Sequence, residues 1–282
     1  MAYSRTNNST RATINRSKLH GSGTFKYVYA GTYTAGARKG QPCVAKEFKS
    51  GCVVEDHYFD EEMNICAKSQ EIIDEFNEAG ILNQEVYLNT PEIWEYDGRG
   101  SPKKGQKVLI EPMIKNFEKF NSNSGWALSE PTGWAAALQS LSHFSYDNSG
   151  GQLLLCDLQG GIYNDGFVLT DPVIMSRAQN CGPADLGMDG IMSFFQRHRC
   201  NGFCDASWRK PPVLGKAKIP MHQGTTMQAY LPTRSSRPKH PTDRIFLLIK
   251  INLSIPHPTT VPENTISPVN SRGFTRAFCM FQ

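Results

Sequence analysis

Within the seven residues His198-Arg-Cys200-Asn-Gly-Phe-Cys204 lie one imidazole and two thiols. These are the donors zinc prefers, and a closed structural zinc site takes four of them in a tetrahedron. The fourth has to come from a distant part of the chain, so the fold must bring a second segment onto this one. His198 and Cys200 are two apart and cannot share one helix face. The ligands therefore belong to a helix terminus and the loop after it. The bland alternative is a chance cluster in an intracellular protein. Eight cysteines stand at irregular spacings (Cys43, Cys52, Cys66, Cys156, Cys181, Cys200, Cys204 and Cys279). Without a signal peptide, that pattern argues for reduced thiols and metal ligation over a disulfide framework.

The 282 residues can bury a sizeable core in one two-lobed domain or two small ones. No run approaches the ~20 apolar residues of a membrane span. The start lacks the apolar stretch of a secretory signal, which points to an intracellular, cytoplasmic protein. Residues 1–18, rich in Arg, Ser and Thr, read as a flexible leader. From Pro211 onward there are nine Lys/Arg against two acids, and ten of the seventeen prolines. Residues 212–282 accordingly read as a basic, Pro/Ser/Thr-rich and mostly disordered tail. The remaining body is slightly acidic, so no specific nucleic-acid partner is expected.

Along the body, HGSGTFKYVYAGTY alternates around Phe25, Tyr27 and Tyr29, and a turn at GARKGQ leads into the strand CVAKEF. A helix is predicted from about Asp60 to Ala79, with Ile65, Ile72, Phe76 and Ala79 on one stripe. NQEVYL, EIWEY and KVLIE read as strands. A second helix runs from about Thr132 to Tyr146, with Trp134, Leu138, Leu141 and Ser145 on one face. QLLLCDL reads as a buried strand. A last helix spans Asp185 to Arg199, its acids and bases placed to suit the helix dipole.

Asp157 and Gln159 close the apolar run LLLCDLQGG, two apart and so on one side of an extended chain. Asp171 follows in LTDP. Hard oxygen donors of this kind suit Mg²⁺ holding nucleotide phosphates, although acids and amides at strand ends are also ordinary turn formers. Lys46 shares a strand face with Val44 and Phe48, and a lysine so placed needs a charged partner, for which phosphate is the obvious candidate. Gly21, Gly23 and Gly31 suit close approach to phosphates and ordinary turns equally. The amides of the run Gly182 to Gly190 could bind an anion or merely cap a helix.

Taken together, VAKEF, EFN, IEPM…FEKFNSNSG, LSHFSYDNSGGQLLLCDLQGG, LTDP, the glycine run and FFQRHRCNGFC resemble the atypical alpha-kinase family from about His20 to Pro211. The resemblance implies an α+β, two-lobed protein-kinase-like fold, with an N-lobe at 19–110 and a zinc-bearing C-lobe at 111–211. It implies an ATP-dependent protein serine/threonine kinase acting on a protein substrate with Mg²⁺. A non-catalytic binding module of the same fold is the alternative. By the same resemblance, Asp157 is catalytic and Lys46, Glu111, Met113, Gly182, Gly187 and Gly190 contact ATP. Gln159 and Asp171 hold Mg²⁺. His143 joins His198, Cys200 and Cys204 around structural zinc, with His57, Cys156 and Cys181 as rival fourth ligands. Two positions depart from the family pattern: Ala184 stands in the glycine run, and Lys26 where the family usually has Arg.

Overall fold

The computed structural model describes residues 4–49, 55–97, 103–129, 131–212, 218–227 and 264–269. Its elements run β1 (Ser4–Arg5), β2 (Ser9–Ser22), β3 (Lys26–Gly36), β4 (Pro42–Phe48), α1 (Glu55–Glu78), β5 (Glu85–Asn89), β6 (Glu92–Tyr96) and β7 (Lys107–Pro112). There follow β8 (Glu118–Lys119), α2 (Trp134–Asn148), β9 (Leu153–Cys156), β10 (Gln159–Tyr163), β11 (Gly166–Leu169), β12 (Val173–Ser176), α3 (Gly187–Arg197) and β13 (Asn264–Pro268). The mixture is α+β, with all three helices and the main strands near their expected positions.

Six strands close an antiparallel barrel in the order β13-β2-β3-β4-β7-β6. Closure removes free edges, the usual hazard of an antiparallel sheet. Alternation puts Ala12, Ile14, Tyr33, Cys43, Ala45, Trp94, Tyr96, Val108, Ile110 and Ile266 inside as one apolar cluster. Glu47 is drawn to the end of that interior, where it accepts from the Tyr96 hydroxyl at 2.7 Å and pairs with Arg16 and Lys103, each at 2.8 Å. The opposite parity on neighbouring strands, Val28 beside Lys46 and Val44 beside Glu111, faces the cleft. β4 is thus buried on both faces, continuously from Cys43 to Phe48.

A second, mixed sheet has the order β1-β5-β11-β10-β8, and β9 pairs with β12 beside it. Phe76 of α1 and Leu138, Leu141 and Phe144 of α2 pack against Val86, Leu155 and Phe167. α2 is buried almost throughout, from Ala135 to Tyr146, so a single apolar stripe understates it. Its buried serines bond locally or brace the next strand: Ser145 accepts the Leu155 N–H at 2.8 Å.

Two expectations are corrected. Residues 4–18 of the expected flexible leader are ordered: β1 pairs in parallel with β5, and β2 forms a barrel wall with Ala12 and Ile14 buried. The Arg/Ser/Thr-rich composition concealed an alternating strand with one polar face. Nor is the whole of 212–282 a disordered tail. Residues 218–227 lie against the cleft, and β13 closes the barrel with Ile266 fully buried. The apolar stretch IFLLIKINLSI falls outside the described residues. Among the described residues, no helix is long and apolar enough to cross a membrane.

Candidate active site and metal site

Between the barrel and the second sheet opens a cleft of about 730 Å³, within the range of small-molecule and cofactor sites. Four strands and α1 aim charges into it. Lys46 on β4, 4% exposed, has its Nζ 2.6 Å from Glu111, 2.6 Å from Asp171 and 2.9 Å from Thr170 Oγ1. Lys26 on β3 pairs with Asp171 at 2.9 Å and with Glu62 of α1. Thr170 also donates to Glu111, at 2.9 Å. Burial tends to neutralise both lysines, but Asp171 together with Glu111 or Glu62 outweighs it and raises their pKa values. Burial would likewise raise Asp171, yet the Lys26 and Lys46 ammoniums hold its carboxyl well below the usual range. Glu111, deeper, is pushed up by burial despite Lys46. The cluster therefore presents two fixed cations and one firmly ionised carboxylate at the cleft wall.

Asp157 follows β9 at the cleft floor, 1% exposed. Lys119 of β8 pairs with it at 2.8 Å, and the Thr225 hydroxyl donates to it at 2.6 Å. Burial raises its pKa while Lys119 pulls the other way, a direction that improves a proton acceptor. Asp157 and Asp171 both hold positive φ, 60° and 48°. Such backbone costs on the order of 1–3 kcal/mol and gathers at functional sites. The loop FEKFNSNSG braces the floor: Asn121 accepts the Leu158 N–H at 2.9 Å and donates to Ser142 of α2 at 3.1 Å.

Several expected residues converge here. Lys46, Glu111, Met113, Asp157, Gln159 and Asp171 all line the cleft, as do Gly21 and Gly23. The charged partners of Lys46 in this structure are carboxylates. Glu111 sends its side chain to Lys46, and the Met113 N–H is taken by the Pro42 carbonyl at 3.2 Å. The three later glycines do not line the cleft. Gly187 gives its N–H to Asp185 at 2.8 Å, and Gly190 lies in α3, where an added Cβ would meet Met175 Sδ at 2.0 Å. Gly182 takes positive φ (80°) at the turn before them. These glycines serve turns and close packing, and their neighbours Pro183 and Ala184 line the cleft instead. Sequence reasoning gave no role to Lys26, Glu62, Lys119, Thr170 or Thr225. The available signal for Lys26 was its parity, two positions before Val28, which pairs with Lys46; anchoring the alternation on Tyr27, 40% exposed, hid it.

The second constellation unites His143 of α2, His198 at the end of α3, and Cys200 and Cys204 in the following loop, all ligand atoms within 4.8 Å of one another. Cys200 Sγ lies 3.7 Å from His143 Nδ1, and Cys204 Sγ 3.6 Å from His198 Nε2. Zinc bonds of ~2.3 Å to sulfur and ~2.0 Å to nitrogen give a tetrahedral S···N separation of about 3.5 Å. His143 Nε2 lies 3.1 Å from the Arg209 carbonyl, the outer bond that frees Nδ1 as a ligand. Burial lowers both imidazoles, His198 to about 3, so they are neutral and ready to ligate. The donor set fits zinc. Of the rivals, Cys156 is buried in β9 with its thiol on the Val173 carbonyl. Cys181 is not in the cluster, and the His57 side chain lies outside the described residues.

The Alpha-kinase family pattern matches residues 21–204. The chain is 38% identical over 97 residues to alpha-protein kinase vwkA of Dictyostelium discoideum, covering 34% of this chain and 15% of that protein. It is 33% identical over 174 residues to myosin heavy chain kinase C of the same organism, covering 60% of this chain and 20% of that protein. The matches thus span a fifth or less of these relatives' lengths. The fold superposes on the inactive alpha-kinase domain of myosin-II heavy chain kinase A complexed with ATP, with a TM-score of 0.59 at 19% identity over 70% of this chain and 96% of that one.

Proposed function

The chain belongs to the alpha-kinase family, and on that premise we propose that it transfers the γ-phosphoryl group of ATP to serine or threonine hydroxyls of a protein substrate. The observation that carries this reading is one cleft with two buried ammoniums on one wall and a buried carboxylate, already holding a hydroxyl, on its floor. The ATP-bound neighbour of the same fold supports a nucleotide in that cleft.

Phosphoryl transfer asks the protein mainly for positioning and charge neutralisation. Lys46 and Lys26 would exchange part of their carboxylate pairing for phosphate oxygens. Asp171, kept ionised by those lysines, and Gln159, two residues from Asp157 on the same cleft, would hold Mg²⁺. Held there, it would supply positive charge against the phosphates. Glu111 anchors Lys46 from behind, and backbone around Met113, with Ile114 and Phe117, would form the adenine side of the cleft. Asp157 orients the acceptor hydroxyl and takes its proton, with Lys119 fixing the carboxylate. Zinc on His143, His198, Cys200 and Cys204 would be structural, since four protein donors leave no open position.

The test is phosphorylation of a generic basic Ser/Thr peptide with Mg·ATP. Asp157→Ala should abolish transfer while zinc content stays unchanged. Equal transfer by mutant and parent would remove Asp157 from its role. Absence of transfer by the parent, together with no thermal shift at millimolar Mg·ATP, would favour a non-catalytic binding module.

A further inference from the structure

Residues 222–226, His-Gln-Gly-Thr-Thr, cross the cleft held almost entirely through their backbone. Ser122, Asn123 and Ser124 form the receiving surface, and each is at most 1% exposed. The Ser122 and Ser124 hydroxyls donate to the His222 carbonyl at 2.7 and 2.9 Å, and the His222 N–H returns to Ser124 at 2.8 Å. The Asn123 amide binds Thr226 twice, donating to its carbonyl at 2.7 Å and accepting its N–H at 2.8 Å. From the β2–β3 loop, Thr24 donates to the Thr225 carbonyl at 2.8 Å. Every contact to this frame reads peptide backbone, so it would accept many sequences. The side chain at its centre, Thr225, delivers its hydroxyl to Asp157 Oδ2 at 2.6 Å.

We infer that residues 222–226 occupy the acceptor-peptide groove in cis and that Thr225 is an intramolecular phosphorylation site. The inference rests on the kinase reading above. In the step, Thr225 Oγ1 attacks the γ-phosphorus of bound ATP, a new Oγ1–P bond forms and the bond to ADP breaks. Asp157 takes the hydroxyl proton. Once Asp157 has released that proton to solvent, a phosphate of charge about −1.5 to −2 stands beside its carboxylate, and like charges so close drive the segment out. Before transfer the segment excludes protein substrates; afterwards the groove is free for them.

The test incubates the full chain with Mg·ATP, with and without a basic Ser/Thr peptide, and maps phosphate by mass spectrometry. Phosphate is expected on Thr225 at a rate unchanged over about a hundredfold dilution, because a tethered acceptor has a fixed effective concentration of order millimolar. Thr225→Ser should keep the modification. Thr225→Ala should lose it and, freed of one hydrogen bond to a charged group, should lower the KM for added peptide about tenfold. Peptide phosphorylation without phosphate on Thr225 would overturn the inference and leave the kinase reading intact. A Thr225 rate that falls with dilution would overturn the intramolecular step. Absence of transfer to either acceptor would overturn the kinase reading and this inference with it.

Discussion

The site depends on a few residues whose charges make sense only together. Lys46, Glu111 and Lys26 are buried, Asp171 is partly exposed at the cleft, and each ionised group has an opposite within 3 Å. Removing one member strands another. Lys46→Met is expected to cost about 3–5 kcal/mol, the usual penalty for breaking a buried pair, because Glu111 then lacks its cation. Burial alone raises the Glu111 carboxyl, so in this variant the folded state binds a proton more tightly than the unfolded chain, whose carboxyl titrates near about 4.3. Stability then falls as pH rises through the folded value. Urea unfolding at acidic and alkaline pH should show the larger deficit on the alkaline side, and a pH-independent deficit would contradict the argument. Lys46 was legible because an ionisable residue inside an apolar strand needs a partner, and Asp157 and Asp171 because they are oxygen donors at the ends of apolar runs. Thr225 was not, since nothing local in GTTM distinguishes it from any other hydroxyl.

At the scale of elements, the clustered donors His143, His198, Cys200 and Cys204 join the end of α3 and its following loop to the middle of α2. α2 is buried on nearly all sides and carries the serines that brace β9 and the Asn121 loop. The cleft floor therefore hangs on a helix that a metal bound to these four donors would pin. Zinc on such a set would contribute roughly 10–16 kcal/mol, comparable to a whole domain's stability. Chelation should lower the melting temperature steeply, and Cys200→Ser should yield metal-poor, poorly soluble protein. An unchanged melting temperature after verified metal loss would refute the staple. Three of the four ligands could be found in sequence because seven residues cannot avoid one another. His143 required a resemblance, since from spacing alone His57, Cys156 and Cys181 served equally well. The glycine run shows the reverse error. Glycine suits a phosphate, a turn and a close helix contact alike, and Gly190 is explained by Met175.

For the whole molecule, the barrel is the arrangement that matters most, and its two closing walls come from the two ends of the chain. β13 hydrogen-bonds to both β2 and β6; without it both become open edges. A chain ending at residue 212 lacks β13 and the segment that crosses the cleft. It is expected to melt below the full chain and to aggregate, and calorimetry of both forms with light scattering would decide. Equal melting temperatures would mean that closure adds nothing. The amino-acid sequence alone was enough for the element types, the α+β mixture, the ionic residues needing partners and three members of the His/Cys cluster. Each follows from local periodicity or from the chemistry of a few neighbouring side chains. Tertiary structure alone decided that the Arg/Ser/Thr-rich start and a short stretch near the end are barrel strands, that Lys26 faces the cleft, and that Thr225 rests on Asp157. Those outcomes depend on contacts between residues far apart in sequence, where composition carries no information about which partner each will meet.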